Sequence, residues 1–317
     1  MKVLSAADID AALDPVLLAD ALAHAFRAEI VAPVRHHHEI ERPDADATLL
    51  LMPAWTGRDA QAPFVGTKIV TVYPGNGAKA LPAVMGTYLL LDGATGAPLV
   101  AMDGARLTVW RTAAASALAA RYCARPDASN MVMVGAGALA PFFIKAHCAT
   151  SPIKEVSLWN HRPERAEAVA SELRQEGYPV RAVTNLEAAV READLISTAT
   201  LSTEPLVRGE WLKAGAHLDC VGAFKPSMRE TDDEAVKRAS LFCDTRGGAL
   251  KEGGDYAQPL AAGIIRESDI RADLYDLTRG KHRGRASSQE ITMFKSVGAA
   301  IEDLAAAMLV WERVEHT

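Results

Sequence analysis

The chain has 317 residues, of which 49% are hydrophobic and 23% are charged, a composition typical of a globular protein with room for two domains. Its formal net charge of −6 argues against a nucleic-acid partner or an anionic membrane surface, because these are usually bound by clustered Lys and Arg. The sequence has no apolar run long enough to span a bilayer and no secretory signal, so we expect a cytoplasmic protein without a membrane partner.

The cysteines and histidines do not predict a metal or redox site. Cys123, Cys148, Cys220 and Cys243 lie far apart and lack the paired C-x-x-C spacing of such sites, so we expect reduced, buried thiols. The run His36-His37-His38 suggests a metal at first sight. Neighbouring residues of an extended segment point to opposite sides, however, and cannot all reach one ion, so we predict no metal.

The first third of the chain predicts helices followed by an antiparallel sheet. Apolar residues recur at helical spacing between Leu13 and Ala25, which indicates one or two N-terminal helices. Short β-like runs follow, separated by Gly, Pro and Asp turns, at residues 49–52, 65–72, 84–91 and 98–102. The segment Asp92-Gly93-Ala94-Thr95-Gly96 is a plausible hairpin turn, since Gly accepts the positive φ that tight hairpins need. No long helix interrupts these strands, so we expect a separate α+β domain.

A glycine-rich turn marks the start of a second domain. A helical pattern over about residues 107–124 leads to the apolar strand 130–134, and Gly135-Ala136-Gly137-Ala138-Leu139-Ala140 follows. The G-x-G-x-x-A spacing brings a dinucleotide pyrophosphate against backbone N–H groups at a helix N-terminus. The triplet alone is weak, because plain strand-to-helix turns also contain it. The pattern that follows it supports cofactor contacts at Gly135, Ala136, Gly137, Ala138 and Leu139.

Strands and helices alternate after this turn. Predicted strands lie at 156–159, 180–183, 195–198, 217–221 and 241–244, and predicted helices at 163–176, 185–192 and 232–239. The alternation predicts a Rossmann-type doubly wound parallel sheet with helices on both faces. After Gly247 the pattern weakens, until residues 291–314 predict one long amphipathic helix that returns to the first domain. We therefore expect a discontinuous domain of residues 1–112 and 295–317 and a dinucleotide-binding domain of residues 113–294.

The residues after the second strand of the predicted Rossmann domain favour NADPH. In this fold that strand ends beside the adenosine ribose, where an Asp or Glu binds the 2′-hydroxyl of NAD. The corresponding residues here are Asn160, His161 and Arg162, none of which is acidic. Arg162 and Arg165 offer charge-assisted hydrogen bonds to a 2′-phosphate, the alternative being two solvated arginines at a helix start. We expect NADPH as the cofactor, with NADH possible, and a binding site that includes Asn160, Arg162 and Arg165.

Several segments, in order along almost the whole chain, resemble the ornithine cyclodeaminase/mu-crystallin family. They are Val65-Gly66-Thr67-Lys68-Ile69-Val70, Tyr73-Pro74-Gly75-Asn76, Gly86-Thr87, the stretches 91–99 and 107–114, the glycine turn, and Phe294-Lys295-Ser296-Val297-Gly298. The resemblance implies a homodimer whose discontinuous first domain binds substrate and forms the subunit contact. It also implies that a nicotinamide dinucleotide binds to the domain between.

The resemblance further implies roles for single residues. By similarity, Arg35, Lys68 and Arg111 surround the carboxylate of an amino or imino acid. Thr87 and Val297 are implied in the substrate site, and Thr112, Val221 and Ser296 in the cofactor site. The residue types agree for the cations, since a carboxylate in a cleft needs positive charge and Arg presents a planar fork to two oxygens. Lys68 lies among apolar strand residues, where an inward-facing lysine must meet an anion or lose its charge.

The loop after the fourth strand of the second domain contributes two further candidates. Thr200 and Ser202 have hydroxyl groups that can bind the cofactor, the alternative being an ordinary polar loop.

One departure from the family pattern bears on the substrate. In ornithine cyclodeaminase, an Asp that follows two glycines after the fifth strand is thought to handle the amino groups of the substrate. This chain reads Val221-Gly222-Ala223-Phe224, and a phenyl ring neither takes up a proton nor pairs with an ammonium group. The segment looks like the branch of Δ1-pyrroline-2-carboxylate reductases, or ketimine reductases. Asp219 or Asp103 would weaken this reasoning if the fold brought either carboxylate into the site.

We therefore expect an oxidoreductase that reduces the C=N bond of a small cyclic imino acid. The substrate would be Δ1-pyrroline-2-carboxylate or its six-membered homologue, and the product L-proline or L-pipecolate. Lys68 is the first candidate for the proton donor, although water could supply the proton as well. The open alternatives are a cyclodeaminase that releases ammonia from L-ornithine, an alanine or opine-type dehydrogenase that reduces open-chain imines, and an NADPH-dependent small-molecule binder without catalysis.

Overall fold

The computed structural model describes residues 1–43, 46–79 and 81–315, and the chain forms two compact units. Unit 1 contains Met1–Thr112 and Ala299–Thr317, and unit 2 contains Ala113–Gly298. The chain passes from unit 1 to unit 2 within a single helix, Gly104–Cys123, and leaves unit 2 after Gly298, which has a φ of 79°. The second boundary thus follows residue 298, whereas the sequence pattern had placed it after residue 294.

Unit 1 is built on a largely antiparallel sheet. Its strands are β1 (Lys2–Leu4), β2 (Ile30–Val31), β3 (His36–Ile40), β4 (Ala47–Thr56), β5 (Phe64–Val72), β6 (Val84–Asp92) and β7 (Pro98–Asp103). Its helices are α1 (Ala6–Ala12), α2 (Pro15–Arg27), the first part of α3 (Gly104–Cys123) and α11 (Ala300–Val314). The strand order is β1-β7-β6-β5-β4-β2, with β3 also paired to β4, and only β1 and β7 run parallel among the described pairs.

The local signals of unit 1 are confirmed where the sequence was specific. Helix α1 begins at a capping box, in which Asp8 N donates to Ser5 Oγ at 3.3 Å and Ser5 N donates to an Asp8 carboxylate oxygen at 2.8 Å. The hairpin between β6 and β7 turns at Gly96, which has a φ of 75°, and Asp92 Oδ1 accepts hydrogen bonds from the turn backbone. The antiparallel strands and the N-terminal helices therefore follow from turn chemistry and apolar spacing.

A row of cross-strand neighbours carries Lys68 into the core of unit 1. Met52 of β4 lies opposite Lys68 of β5, Lys68 lies opposite Tyr88 of β6, and Tyr88 lies opposite Met102 of β7. Directly opposed residues of antiparallel strands face the same side of the sheet, and all four of these are buried. Helix α11 packs on β4, β5 and β6, so the sheet presents Lys68 to that helix.

Unit 2 is an α/β unit with a parallel sheet. Its strands are β8 (Asn130–Val134), β9 (Glu155–Trp159), β10 (Val180–Val183), β11 (Leu195–Thr198), β12 (His217–Cys220), β13 (Ser240–Cys243), β14 (Ile270–Asp273) and β15 (Thr292–Lys295). Its helices are the rest of α3, α4 (Ala140–Thr150), α5 (Pro163–Gln175), α6 (Leu186–Glu192), α7 (Asp233–Arg238), α8 (Arg246–Glu252), α9 (Gly254–Ala261) and α10 (Leu274–Thr278).

The strand order of unit 2 confirms the Rossmann-type prediction. It runs β10-β9-β8-β11-β12-β15-β13-β14. Numbered along the chain within unit 2, the first five places read 3-2-1-4-5, as in dinucleotide-binding sheets, and the sixth place is taken by β15, the last strand of the unit. The order reverses between β8 and β11. This is the switch point at which doubly wound sheets bind their ligands, outside the carboxyl ends of the strands.

The predicted single helix over residues 291–314 is wrong. Thr292–Lys295 form β15, which is fully buried between β12 and β13, and α11 begins only at Ala300. Gly298 separates the two elements with a positive φ that favours glycine. A short apolar run cannot be assigned to a buried strand or a buried helix by periodicity alone, and here the gap in the sheet beside β12 decides for the strand.

Within the described residues, the helices are too short or too polar to cross a bilayer.

Candidate active site

The glycine turn of unit 2 follows β8 at the switch point of the sheet. Gly135 has a φ of 108°, its N–H donates to Trp159 O at 2.8 Å, and a Cβ there would lie 2.7 Å from Ala199 O. Both the backbone angle and the lack of space therefore require glycine. Gly137 is exposed, and no other described part of the chain comes within 4 Å of the place where its Cβ would lie. Its backbone is open to the approach of a phosphate.

The residues after β9 are joined to this turn. Asn160 Oδ1 accepts a hydrogen bond from Ala136 N at 3.3 Å, and Asn160 Nδ2 donates to Arg162 O at 3.1 Å. Arg162 and Arg165 are exposed at the start of α5, where their guanidinium groups remain accessible to an anion. The other residues predicted at the turn are Ala138, which is exposed, and Leu139, which is half-buried.

The loops after β11 and β12 meet at a buried carboxylate. Thr200 donates from its N and its Oγ1 to Glu230 Oε1, at 2.7 and 2.8 Å. Ser202 Oγ donates to a backbone carbonyl of its own loop at 2.6 Å. Val221, the first residue after β12, is buried. The hydroxyl of Thr200 is therefore turned into the protein.

The loop after β15 is fastened in a similar way. Asp244 Oδ2, at the end of β13, accepts hydrogen bonds from Ser296 Oγ at 2.9 Å, Val297 N at 2.8 Å and Gly298 N at 2.7 Å. Ser296 and Val297 thus lie at the carboxyl edge of the same sheet as the glycine turn, in a loop of defined shape.

Unit 1 gathers two of the predicted substrate cations around carboxylates of α11. Lys68 Nζ donates to Asp303 Oδ1 at 2.8 Å and to Thr108 Oγ1 at 3.3 Å. Arg111 donates through Nε to the same Asp303 oxygen at 2.9 Å, and through Nη1 to Glu302 Oε2 at 2.8 Å. Lys68 is 2% exposed, Arg111 is 5% exposed, and both acids are fully buried. The structure therefore brings Lys68 and Arg111 together on one internal carboxylate.

Burial and neighbouring charge set the protonation of this cation cluster. Burial lowers the pKa of the Lys68 ammonium, Asp303 opposes that effect, and Arg111 and Arg35 lower it again, which leaves it at about 8. Burial by itself would raise the pKa of Asp303, but Lys68 and Arg111 outweigh burial and keep it below its ordinary value. At pH 7, the ammonium form of Lys68 thus predominates. A pKa so near neutrality suits a group that gives up a proton.

The other predicted residues of unit 1 lie around this cluster. Arg35 is half-buried in the loop between β2 and β3, and its charge acts on both Lys68 and Asp303. Thr112 is buried and donates from Oγ1 to Thr108 O within α3 at 2.6 Å. Thr87 is exposed and adjoins Tyr88 in β6, so it faces the side of the sheet opposite to Lys68. The sheet therefore does not bring Thr87 to the cation pair.

Sequence reasoning missed Glu302, Asp303 and Tyr88. Two adjacent acids in an otherwise apolar, alanine-rich helix were a usable signal, because buried carboxylates require cations. The Tyr88 hydroxyl is buried without a hydrogen-bond partner among the described residues, and burial and Asp303 raise its pKa well above the ordinary value. It lies over Gly66, where a Cβ would collide with it. A glycine inside a strand is the signal for such a close approach.

Phe224 lies where the cyclodeaminase pattern has an acid, and the alternative carboxylates have other partners. Phe224 is 41% exposed in the loop after β12. Asp219 is fully buried and accepts hydrogen bonds from Ser116 Oγ at 2.8 Å and Ser197 Oγ at 2.7 Å. Asp103 Oδ1 caps α3 by accepting from the Arg106 backbone N at 2.8 Å. Both carboxylates are engaged in holding the fold.

In residues 1–43, 46–79 and 81–315, no three His, Cys, Asp or Glu side chains form a group that could hold a metal ion. The three adjacent histidines belong to the exposed strand β3. The cysteines are free thiols, with Cys148 half-buried and the others buried.

Comparison with known proteins agrees with this geometry. The model of the ornithine cyclodeaminase/mu-crystallin family matches residues 1–317. The Δ1-pyrroline-2-carboxylate reductase of Paracoccus denitrificans is 40% identical over 246 residues, which are 77% of this chain and 78% of that protein.

Solved structures resemble the whole chain. The Δ1-pyrroline-2-carboxylate reductase of Thermococcus litoralis, in complex with NADH and L-proline, has a TM-score of 0.91 and 34% identity, and the match covers 100% of this chain and 98% of that one. An archaeal alanine dehydrogenase dimer with bound NAD also has a TM-score of 0.91, with 31% identity and coverage of 100% and 96%.

Proposed function

Because the chain belongs to the ornithine cyclodeaminase/mu-crystallin family, we propose that it is an oxidoreductase that uses NAD(P)H to reduce a small cyclic ketimine. The substrate is Δ1-pyrroline-2-carboxylate, Δ1-piperideine-2-carboxylate or both, and the product is L-proline or L-pipecolate. The C=N bond gains a hydride at carbon and a proton at nitrogen. One reduced cofactor and one proton are consumed for each product.

The observation that carries this proposal is the buried cation cluster of unit 1. Lys68, Arg111 and Arg35 place three positive charges around the carboxylates of Glu302 and Asp303. Cations gathered in a desolvated site of this kind suit a small carboxylate ligand, such as that of a cyclic imino acid, because Arg presents a planar fork to its two oxygens.

Each residue of the cluster has a different role. Arg111 and Arg35 bind the substrate carboxylate and fix the orientation of the ring, which is where positioning lowers the barrier. Lys68 gives its proton to the imine nitrogen, because a protonated C=N bond is a better hydride acceptor. Its pKa of about 8 keeps the ammonium form dominant at neutral pH and still allows the proton to leave. Asp303 holds the side chains of Lys68 and Arg111 in place.

The residues of unit 2 fit a nicotinamide dinucleotide. The bound cofactor supplies the hydride. Gly135 and Gly137 let its phosphates approach the backbone. Residue 160 is Asn and not Asp or Glu, so the carboxylate that would select NAD is missing. Arg162 and Arg165 favour NADPH over NADH, since an exposed guanidinium pair offers several donors to a 2′-phosphate.

The nature of residue 224 separates this proposal from ornithine cyclodeaminase. Phe224 has no carboxylate with which to form an ion pair and cannot move a proton, and the nearby acid Glu230 is fully buried. The loop after β12 therefore lacks the group needed to handle the amino groups of L-ornithine.

The test follows the absorbance of the reduced cofactor with the purified protein. NADPH or NADH is supplied with each of the two cyclic ketimines, beside pyruvate plus ammonia as the open-chain arm. L-Ornithine with NAD⁺ is the ammonia-release arm, because its cyclodeamination begins with oxidation of the substrate. We expect turnover of at least one cyclic ketimine and a lower KM for NADPH. Ammonia from ornithine, faster reduction of the open-chain imine, or cofactor binding without any turnover would each contradict the proposal.

We also propose that the protein is a homodimer formed through unit 1. Apolar side chains are exposed on the face of its sheet opposite to Lys68, namely the cross-strand partners Trp55 and Val65, 37% and 36% exposed, and Met85 of β6, 40% exposed. Exposed apolar side chains on one face of a sheet favour a subunit contact there. Size-exclusion chromatography with light scattering should give twice the mass of the chain, and a monomer mass at micromolar concentration would contradict the proposal.

A further inference from the structure

The loops after β11 and β12 are fastened by a single buried side chain. Glu230 Oε1 accepts hydrogen bonds from N and Oγ1 of Thr200 at 2.7 and 2.8 Å. Glu230 Oε2 accepts from Thr198 Oγ1 at 2.9 Å, and from the backbone N of Gly222 at 2.7 Å and of Ala223 at 3.2 Å. One carboxylate therefore ties the two loops together.

The two loops pass so close to each other that a side chain between them has no room. A Cβ at Gly222 would collide with the Thr200 backbone and would lie 2.5 Å from Glu230 Oε1. Glycine at this place is explained by close approach and not by an unusual φ. The carboxylate of Glu230 fills the space at the junction.

Glu230 is itself held by a second carboxylate. Asp255 Oδ1 accepts hydrogen bonds from Glu230 N at 2.9 Å and from N and Oγ1 of Thr231, both at 3.0 Å. Asp255 Oδ2 accepts from Lys295 Nζ at 2.9 Å. Glu230, Asp255 and Lys295 are all fully buried. Lys295 is the last residue of β15 and directly precedes Ser296, so the network reaches the ends of three neighbouring strands.

This network is not the least costly way to fill a core. Apolar residues of similar volume usually serve stability as well as buried ions, or better. A fully satisfied polar network instead fixes one arrangement of the groups around it. The groups fixed here are the loops at the carboxyl ends of β11 and β12, beside the switch point, where ligands of doubly wound sheets bind.

We propose that Glu230 is a positioning residue, which holds these two loops in the arrangement that seats the nicotinamide end of the cofactor. The adenosine and phosphate end is held separately, by the glycine turn and the residues after β9. The inference rests on the proposed function, because it takes a nicotinamide dinucleotide as the ligand of unit 2.

The experiment compares Glu230→Gln with the wild type and with Glu234→Gln, a matched change at an exposed position of α7. The amide has only one acceptor oxygen, so its NH₂ group faces the N–H donors of one loop whichever way it turns. Two ligands are titrated: NADPH, followed by the change in nicotinamide fluorescence on binding, and 2′-phospho-ADP-ribose, which lacks the nicotinamide.

In Glu230→Gln, the Kd of 2′-phospho-ADP-ribose should stay within about twofold of the wild-type value, because the two ends of the cofactor are held independently. The fluorescence change of NADPH should be lost. The kcat for the ketimine should fall about 10–100-fold with its KM changed less than about threefold, as expected for a misplaced reactant. Glu234→Gln should match the wild type in every measurement.

Equal weakening of both ligands in Glu230→Gln would overturn the proposal, since it would indicate general loosening of unit 2. If that variant does not fold, Thr198→Val removes one donor without a change of volume, and the same split should appear with a fall in kcat of about 2–5-fold. If the wild type reduces no ketimine, the proposed function fails, and the comparison of the two ligands still decides the role of Glu230.

Discussion

Replacing Asp303 with Asn should move the alkaline limb of the pH profile of kcat/KM to lower pH. Asp303 supports the positive charge of Lys68 through a buried contact of 2.8 Å, while burial, Arg111 and Arg35 all act against that charge. Without the carboxylate, the ammonium loses the main group that favours it, and Lys68 gives up its proton at a lower pH.

The size of the shift follows from this separation. Coulomb's law at 2.8 Å with an effective dielectric constant of about 20 gives about 6 kcal/mol, which is an upper value. Single opposite charges at close range move a pKa by about 1–3 units, or about 1–4 kcal/mol. The pKa of Lys68, about 8 in the wild type, should therefore fall to about 5–7 in Asp303→Asn. At pH 7, kcat/KM should drop about tenfold, with a smaller loss at pH 5.

The assay is kcat/KM for the cyclic ketimine between pH 5 and pH 9.5 at saturating cofactor. Glu302→Gln is the matched control, because it removes the neighbouring carboxylate, whose hydrogen bond goes to Arg111. That control should lower activity without moving the alkaline limb. An unchanged limb in Asp303→Asn would refute the reasoning, since it would mean that Lys68 is not the group that titrates there.

Three further changes test other parts of the molecule. Gly135→Ala should lower the Tm by about 3–10 °C, because of backbone strain and collision. Gly137→Ala should leave the Tm unchanged and weaken NADPH binding. The same change in Tm and in NADPH affinity for both variants would disprove the different roles of the two glycines. Arg162→Ala should raise the KM of NADPH about tenfold or more with little effect on NADH, and parallel changes in both KM values would exclude contact with the 2′-phosphate. Burial lowers the pKa of His217 to about 3, whereas in the unfolded state this side chain takes up a proton below its ordinary pKa of about 6.5. The free energy of unfolding of the wild type should therefore fall by about 3 kcal/mol between pH 7 and pH 4.5. In urea unfolding, His217→Gln should lack this part of the acid sensitivity, and the control His37→Gln, at an exposed position, should keep it.

The parallel sheet of unit 2 was predictable because its signals are local. Most of its strands are short apolar runs followed by a turn and a helix, and the position of the glycine turn after β8 identifies the switch point. Strand β11 leads to β12 without an α-helix, and β14 was not predicted. The stretch 291–295 was not predictable in this way. Its apolar residues fit a helix as well as a strand, and only the place available beside β12 in the folded sheet makes it β15.

Some residues of the candidate site could be predicted from the sequence, and their partners could not. Lys68 was identifiable because a lysine inside an apolar strand must meet an anion, but its partner lies 235 residues further along the chain, and no local pattern connects them. The same holds for Glu230, whose partners Thr198 and Thr200, at the end of β11 and in the loop after it, lie 32 and 30 residues earlier in the chain. Composition and spacing indicate which groups need partners, and the three-dimensional fold decides which partners they receive.

The discontinuity of unit 1 has a consequence for the synthesis of the protein. Unit 2 is one continuous stretch of chain, whereas unit 1 cannot bury the inner face of its sheet until α11 has been made. Lys68 leaves the ribosome long before Asp303, and an unpaired ammonium in that core is strongly disfavoured. We therefore expect a chain interrupted before α11 to leave the inner face of this sheet uncovered and to be cleaved by proteases. The ion pair that sets the proton affinity of Lys68 thus also ensures that only chains carrying α11 acquire the site.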